Sequence, residues 1–207
     1  MTVLYDYFRS SAAYRLRIAL NLLGEEYESV PVNLLEGAHR GAENLARNPQ
    51  GLVPTLEIDG RVLTQSLAII EYLDEVRGAG FLPGEALGRA RVRALSYAIA
   101  MEIHPVCNLS VARFASENSG GNISMQGWMQ TFIPKGLAAF EAMLDHADTG
   151  DFCHGDSVSM ADICLVPQVY NARRWQVDMS EMPRINAIMA RLEAIGAIAA
   201  AHPDRVA

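Results

Sequence analysis

Every segment of this chain with strand-like patterning lies before residue 65, and everything beyond Gly88 reads as helix. That division restricts the fold to a small mixed α/β layer followed by a helical body. Residues 2–7 read as a buried strand, 27–32 as an alternating one, 53–58 as a third, and 61–63 as the partner of the third. Asp59-Gly60, between the last two, is a two-residue hairpin signal of the I′ type. Helical periodicity fills the gaps. One helix is expected over 12–23, stopped by Gly24 at C′, and a short one over 38–47. Another is expected to be capped by Ser66 and to carry Leu67, Ile69, Ile70, Tyr72 and Leu73. The order is β-α-β-α-β-β-α, with the first two strands parallel and the last two antiparallel.

Gly78 to Gly88, with Pro83 inside it, reads as a linker. The expected domains are 1–79 and 86–207, the second with helices near 86–117, 124–147, 159–171 and 183–200. Ser159-Met160-Ala161-Asp162 forms a capping box with Asp at its last position, and Val158 and Ile163 stand where a hydrophobic staple would be. The helix that follows is apolar on most sides, so it should be the core of the second domain. Ser159 and Asp162 are therefore read as structural.

Composition removes several function classes. The net charge of −7 over 207 residues disfavours nucleic-acid binding, which needs a basic face. No apolar run reaches membrane-spanning length, and no secretory signal is recognisable at the start. Cys107, Cys153 and Cys164 lack metal-ligand spacing. They read as buried, reduced thiols of a cytoplasmic protein, and no metal is expected.

The chemistry concentrates at residues 8–20. Ser10 and Ser11 sit where the first strand gives way to the first helix. A helix start presents free N–H groups and the positive end of a dipole, so small hydroxyl residues there either cap the helix or bind an anion. Arg15 and Arg17 along that helix are read as a solvated or structural face. Pro54 is a poor fit inside a sheet and points to a cis bond that turns the preceding backbone outward.

Together these stretches resemble the zeta class of the glutathione transferase family. Arg9-Ser10-Ser11-Ala12-Ala13-Tyr14-Arg15 is similar to the Ser-Ser-Cys motif of that class, with Ala12 where the family often has Cys. Asn48-Pro49, Val53-Pro54, Gln65-Ser66-Leu67-Ala68-Ile69-Ile70-Glu71-Tyr72, and Met160-Ala161-Asp162 with Leu165-Val166-Pro167-Gln168-Val169 match as well. The Ser-Ser and Leu-Val-Pro-Gln runs are specific to the class, whereas the Gln-Ser and Val-Pro pairs are shared by many glutathione transferases. The resemblance runs from residue 4 to about 178.

It implies a thioredoxin-like glutathione-binding domain, an all-helical substrate domain and a homodimer. It also implies glutathione-dependent cis–trans isomerisation of a maleyl dicarboxylate, foremost maleylacetoacetate in tyrosine and phenylalanine catabolism. Isomerisation of maleylpyruvate, dehalogenation of halo acids or conjugation are alternatives, and a non-catalytic binding module is an alternative of another class. Relatives acting on maleylpyruvate tend to have Arg after the family's Asn, and Leu109 follows Asn108 here. By the same resemblance Ser10 and Ser11 hold the glutathione thiolate, Val53 beside Pro54 pairs with its cysteinyl backbone, and Gln65 and Ser66 hold its γ-glutamyl carboxylate. His104 and Asn108, four apart and on one helix face, lie near glutathione or pack at an interface. Arg174 takes the substrate carboxylate, Arg9 lies beside the thiol site, and Arg173 is an extra neighbour with no settled role. A chain without Cys-x-x-Cys and without Cys at position 12 has no thiol of its own at the motif, so the nucleophile has to come from glutathione.

Overall fold

The computed structural model describes residues 1–206. It divides into two compact units, Met1–Phe81 together with the chain from Glu193 onward, and Leu82–Leu192.

The first unit holds one four-stranded sheet in the order β2-β1-β3-β4, with β1 Thr2–Asp6, β2 Tyr27–Pro31, β3 Thr55–Ile58 and β4 Arg61–Thr64. β1 pairs parallel with β2 and antiparallel with β3, and β3 pairs antiparallel with β4. Asp59 (φ 52°) and Gly60 (φ 71°) make the expected turn, for which two left-handed residues are required. Three helices belong to this sheet: α1 Ser11–Leu23, α2 Ala42–Arg47 and α3 Ser66–Arg77. α1 ends at Gly24 in the left-handed conformation, as its C′ position demands.

Alternation along β1 sends Leu4 and Asp6 to one face and Val3 and Tyr5 to the other. α1 lies on the Asp6 face, because its Arg17 reaches the Asp6 carboxylate at 2.6 Å. Leu4, Leu16, Ile18, Leu20, Leu56, Ile70 and Leu73 are wholly buried. On the other face Val3 and Tyr5 cluster with Val32, Val30 and Val53, and Arg47 of α2 stacks over the Tyr5 ring at 4.1 Å.

The end of the chain departs from the expected boundary, since α9 Gly196–Ala200 and α10 Pro203–Val206 join the first unit rather than the helical one. The cause is polar pairing along α1. Arg17 Nε donates to the Ala201 carbonyl at 3.0 Å, Asn21 Nδ2 donates to the Ala197 carbonyl at 3.0 Å, and His202 meets Tyr14 edge-on. The helix expected over 183–200 accordingly breaks after α8 Pro183–Glu193.

The regular elements of the second unit are helices: α4 Ala86–Tyr97, a π-helical turn Ala98–Ile103, α5 Leu109–Asn118, α6 Met125–Met143, α7 Met160–Arg174 and most of α8, with one isolated bridge between Thr149 and Gly155. α7 is its core, buried without a break from Met160 to Val169. Asp162 accepts from the Ser159 N–H (2.8 Å), the Ser159 hydroxyl (2.7 Å) and the Cys153 N–H (2.9 Å), so the capping box is present and structural. The single helix expected over 86–117 is interrupted. Pro105 has no N–H to give, and Asn108 turns extended (ψ 143°) and caps α5 by accepting the Ser110 N–H at 3.0 Å. The Val106 carbonyl left over by that break is taken by the Trp128 indole at 2.9 Å.

Arg17→Met is expected to destabilise the protein by about 3–5 kcal/mol, because it leaves the buried Asp6 carboxylate without a counter-charge. Adding Asp6→Asn should recover most of that loss. Urea denaturation of the three proteins measures both, and equal midpoints for Arg17→Met and wild type would show the pair to be dispensable.

Candidate active site

Sheet topology alone gathers most of the expected residues. The chain leaves β1 at residue 7, enters β3 at 55 and leaves β4 at 64, and the pairs Tyr5↔Thr55 and Thr55↔Thr64 put these points at one end of the sheet. The connections there are 7–10, 53–54 and 65–66, and the chain leaving β2 joins them through Val32, whose N–H donates to the Asp6 carbonyl at 2.6 Å.

Ser10 is the N-cap of α1. Its backbone is extended (φ −69°, ψ 118°), and its Oγ accepts the Ala13 N–H at 3.2 Å. Cap and anion site, which were alternatives in the sequence, are compatible in this geometry. A hydroxyl has two lone pairs and one proton, so accepting from Ala13 leaves the proton available. Ser11 opens the helix and, like Ala12, is half-buried. Their amides belong to the first turn, where the helix supplies no acceptor. Arg9 is exposed, with its guanidinium 4.8 Å from the Phe8 ring centroid.

The Val53-Pro54 bond is cis, as expected. β3 begins at Thr55, so Val53 stands outside the ladder and its backbone polar groups are not used there.

Ser66 departs from expectation. The N-cap of α3 is Gln65, held at φ 69° and ψ 106° and making no side-chain cap bond, and Ser66 is the first helical residue. A non-glycine residue at positive φ turns the chain sharply between β4 and α3 and points to a functional constraint. Gln65 Nε2 donates to Gln50 Oε1 at 2.7 Å. Gln50 had no signal in the sequence, because the two glutamines lie in different loops. Ser66 is buried, and its Oγ accepts from Arg15 Nη1 at 3.2 Å. His39, in the short 3₁₀ helix Ala38–Arg40 between β2 and α2, has a buried Nδ1 with no hydrogen-bond partner, and burial with the neighbouring Arg40 charge pulls its pKa down.

The second unit carries the other expected residues. Arg173 and Arg174 are exposed in the last turn of α7, which runs three residues beyond its expected end. The Arg174 guanidinium lies 5.3 Å from the Trp175 ring centroid. His104 ends the π-helical turn and Asn108 is an extended cap residue, so the two do not share a helix face. Asn108 Oδ1 is taken by the Ser110 N–H and hydroxyl, which leaves its amide NH₂ to offer. The three cysteines are free and buried; burial pushes the Cys107 thiol up to about 11 and raises that of Cys153.

Removing the Ser10 cap should cost stability, and removing the adjacent hydroxyl should not. Ser10→Ala is expected to lower stability by about 0.5–2 kcal/mol and Ser11→Ala to change it by less than about 0.5 kcal/mol in chemical denaturation. The reverse order would assign the cap to Ser11.

Known proteins share this arrangement over nearly the full chain. The family model for the glutathione S-transferase N-terminal domain matches residues 2–75, and that for the C-terminal domain matches 126–193. A maleylacetoacetate isomerase of Rhizobium meliloti (strain 1021) is 65% identical over 206 residues, covering 99% of this chain and 97% of the relative. The crystal structure of a maleylacetoacetate isomerase from Methylobacterium extorquens AM1, with bound malonate and GSH, has a TM-score of 0.93 at 41% identity and covers 98% of this chain and 97% of that one. A bacterial maleylpyruvate isomerase of the zeta class, in its holo form, has a TM-score of 0.94 at 40% identity, with coverage of 98% and 97%. A mixed sheet with a cis-proline entry and a serine-capped first helix, matched along the chain by these relatives, identifies it: the chain belongs to the glutathione S-transferase family, in the zeta class.

Proposed function

We propose that this protein is a glutathione-dependent cis–trans isomerase of maleyl dicarboxylates, with maleylacetoacetate as its substrate. The observation that carries the reading is Ser10, an N-cap whose hydroxyl keeps its proton for an anion at the positive end of α1. The likeness to the Rhizobium meliloti isomerase supports the choice of reaction.

The residues at the sheet end suit glutathione. Val53 offers backbone groups free of the ladder, α3 begins without a side-chain cap, and His39 has an orphaned ring nitrogen nearby in the chain's course. Glutathione supplies a thiol whose reversible addition removes the double bond and lets the substrate rotate. Ser10 holds the sulfur as thiolate, with Ser11 assisting. Lowering a thiol pKa by two units needs about 2.7 kcal/mol. A hydrogen bond to a charged acceptor supplies about 1.5–3 and a helix N-terminus about 0.3–1, so the hydroxyl and the dipole together suffice. Since a free thiol is already a few per cent ionised at pH 7, this gain is bounded at about 30-fold, and positioning must supply the rest.

Val53 orients the cysteinyl peptide, and Gln65 and Ser66 take the γ-glutamyl carboxylate. His104 and Asn108 are assigned to cofactor binding. Arg174 takes a substrate carboxylate bidentately, and Arg9 adds local positive charge in a protein of net charge −7. Leu109 after Asn108 favours maleylacetoacetate over maleylpyruvate. The pathway is then tyrosine and phenylalanine breakdown. Free cysteines support a cytoplasmic location. The second unit's apolar α7 is buried within that unit, so the homodimer rests on family likeness and on exposed apolar side chains such as Leu87 and Phe114. Sedimentation at monomer mass would remove it.

Isomerisation of maleylacetoacetate and of maleylpyruvate, followed by absorbance with and without glutathione, tests the reaction. Turnover that requires glutathione and prefers maleylacetoacetate is expected, and preference for maleylpyruvate would reassign the substrate. Silence on both substrates, with halo acids and conjugation acceptors also inert, would leave a binding module. Ser10→Ala should slow turnover by up to about 30-fold at pH 7 through lost ionisation. That deficit should shrink as pH rises past the free thiol's pKa of about 8.5, because the thiol then ionises unaided. A deficit that does not change with pH would remove thiolate stabilisation from Ser10's role.

A further inference from the structure

A buried side-chain hydrogen bond ties α1, which Ser10 caps, to α3, which begins at Ser66. Arg15, on α1, donates from Nη1 to Ser66 Oγ at 3.2 Å across 51 residues of sequence. Arg15 is 3% exposed and Ser66 6%. We propose that Arg15 is a positioning residue for the γ-glutamyl carboxylate of glutathione, acting through Ser66. The inference rests on the glutathione-dependent reading above.

The argument is one of donors and acceptors. A guanidinium donates and never accepts. By occupying a lone pair of Ser66 Oγ it forbids the Ser66 hydroxyl from donating back to Arg15, so the hydroxyl proton must find another acceptor. Ser66 is the first residue of α3, and the first intrahelical bond of that helix runs from the Ile69 N–H to the Gln65 carbonyl at 3.0 Å. The amides of Ser66, Leu67 and Ala68 therefore have no acceptor four residues back inside α3, and Gln65 contributes no side-chain cap. An oriented hydroxyl, a permanent positive charge behind it and uncapped amides select an anion over a neutral group. Ser66 cannot be replaced in this arrangement by a residue that only donates, because the Arg15 proton would then meet another proton. The contact also links the two ends of the cofactor. α1 bears the thiol-binding cap at its start and Arg15 one turn later, so the sulfur and carboxylate positions are held by one rigid helix.

The test compares three thiol ligands by calorimetry: glutathione, γ-aminobutyryl-cysteinylglycine, which lacks only the α-carboxylate of the γ-glutamyl residue and keeps its amine, and glutathione amidated at that carboxylate as the charge control. Wild type is expected to bind glutathione more tightly than either. Arg15→Met should weaken glutathione binding on the order of 10- to 100-fold and leave the two ligands without a γ-glutamyl carboxylate nearly unchanged. Arg15→Lys, which keeps a charge and a donor, should show a smaller loss confined to glutathione, and it carries the comparison if Arg15→Met does not fold. Ser66→Ala with Arg15→Met should bind glutathione no more weakly than Ser66→Ala alone, because Arg15 acts only through the Ser66 hydroxyl. In turnover, the Arg15 variants should raise KM for glutathione and leave kcat nearly unchanged. Equal weakening of all three ligands, no weakening of glutathione, or additive losses in the double variant would overturn the proposal. Wild type that binds none of the three would instead overturn the glutathione reading itself.

Discussion

A buried guanidinium, that of Arg17, is the fixed point of the first unit. It is 1% exposed and has three acceptors: Asp6 Oδ2 at 2.6 Å, the Phe8 carbonyl at 2.9 Å and the Ala201 carbonyl at 3.0 Å. The first is the end of β1, the second lies in the loop that leads to Ser10, and the third belongs to the returning end of the chain. Taking a cation out of water is costly, and the cost is offset only when a counter-charge and further acceptors are held against it, as they are at each of the three Arg17 nitrogens. Burial pushes the Asp6 carboxyl up while Arg17 pulls it down, so each partner holds the other in place. The consequence is a loop between β1 and α1 whose path is set from below by a charge. Ser10 is thereby placed on a rigid support, which the role proposed for its hydroxyl requires.

The same logic of hydroxyl groups recurs at Ser10 and Ser66. Each receives a donor from its own scaffold, the Ala13 amide in one case and the Arg15 guanidinium in the other, and accepting that bond leaves each hydroxyl a proton to donate. Both stand at the start of a helix at one end of one sheet. In a chain of net charge −7 such helix starts suit an anion, because fixed dipoles and short-range donors act within a few ångströms, where they outweigh a diffuse repulsive field screened by salt. Burial raises the thiol pKa of Cys107 and of Cys153, away from the thiolate form.

Local signals were read correctly where local chemistry decides. Asp59-Gly60 has a single comfortable turn, Gly24 a single helix stop, and the Ser159–Asp162 box is complete within four residues. The cis bond before Pro54 was readable from a proline placed where a ladder could not use it. The errors have a common cause. Ser66 looked like a cap because serine caps helices, but Gln65 at positive φ took that position when the chain had to turn from β4 into α3. His104 and Asn108 looked like one helix face because four residues make a turn, but the extended backbone of Asn108 starts a new helix there. The chain after Glu193 looked like the end of the helical domain because its composition is helical, and composition says nothing about which unit a helix joins.

The sequence alone was enough for the order of strands and helices through α3, the family, the hydroxyl pair at the first helix and the need for an external thiol. These follow from patterns whose physics is complete within a few residues, or from motifs carried along nearly the whole chain. Tertiary structure alone decided that Arg15 and Arg17, ordinary members of a helix face on paper, are buried hubs with partners 51 and 184 residues away. It also decided that Gln50 would meet Gln65 and that the last helices would return to α1. Such pairings depend on how the sheet orders its strands and where chain ends are brought together, and no local spacing encodes that.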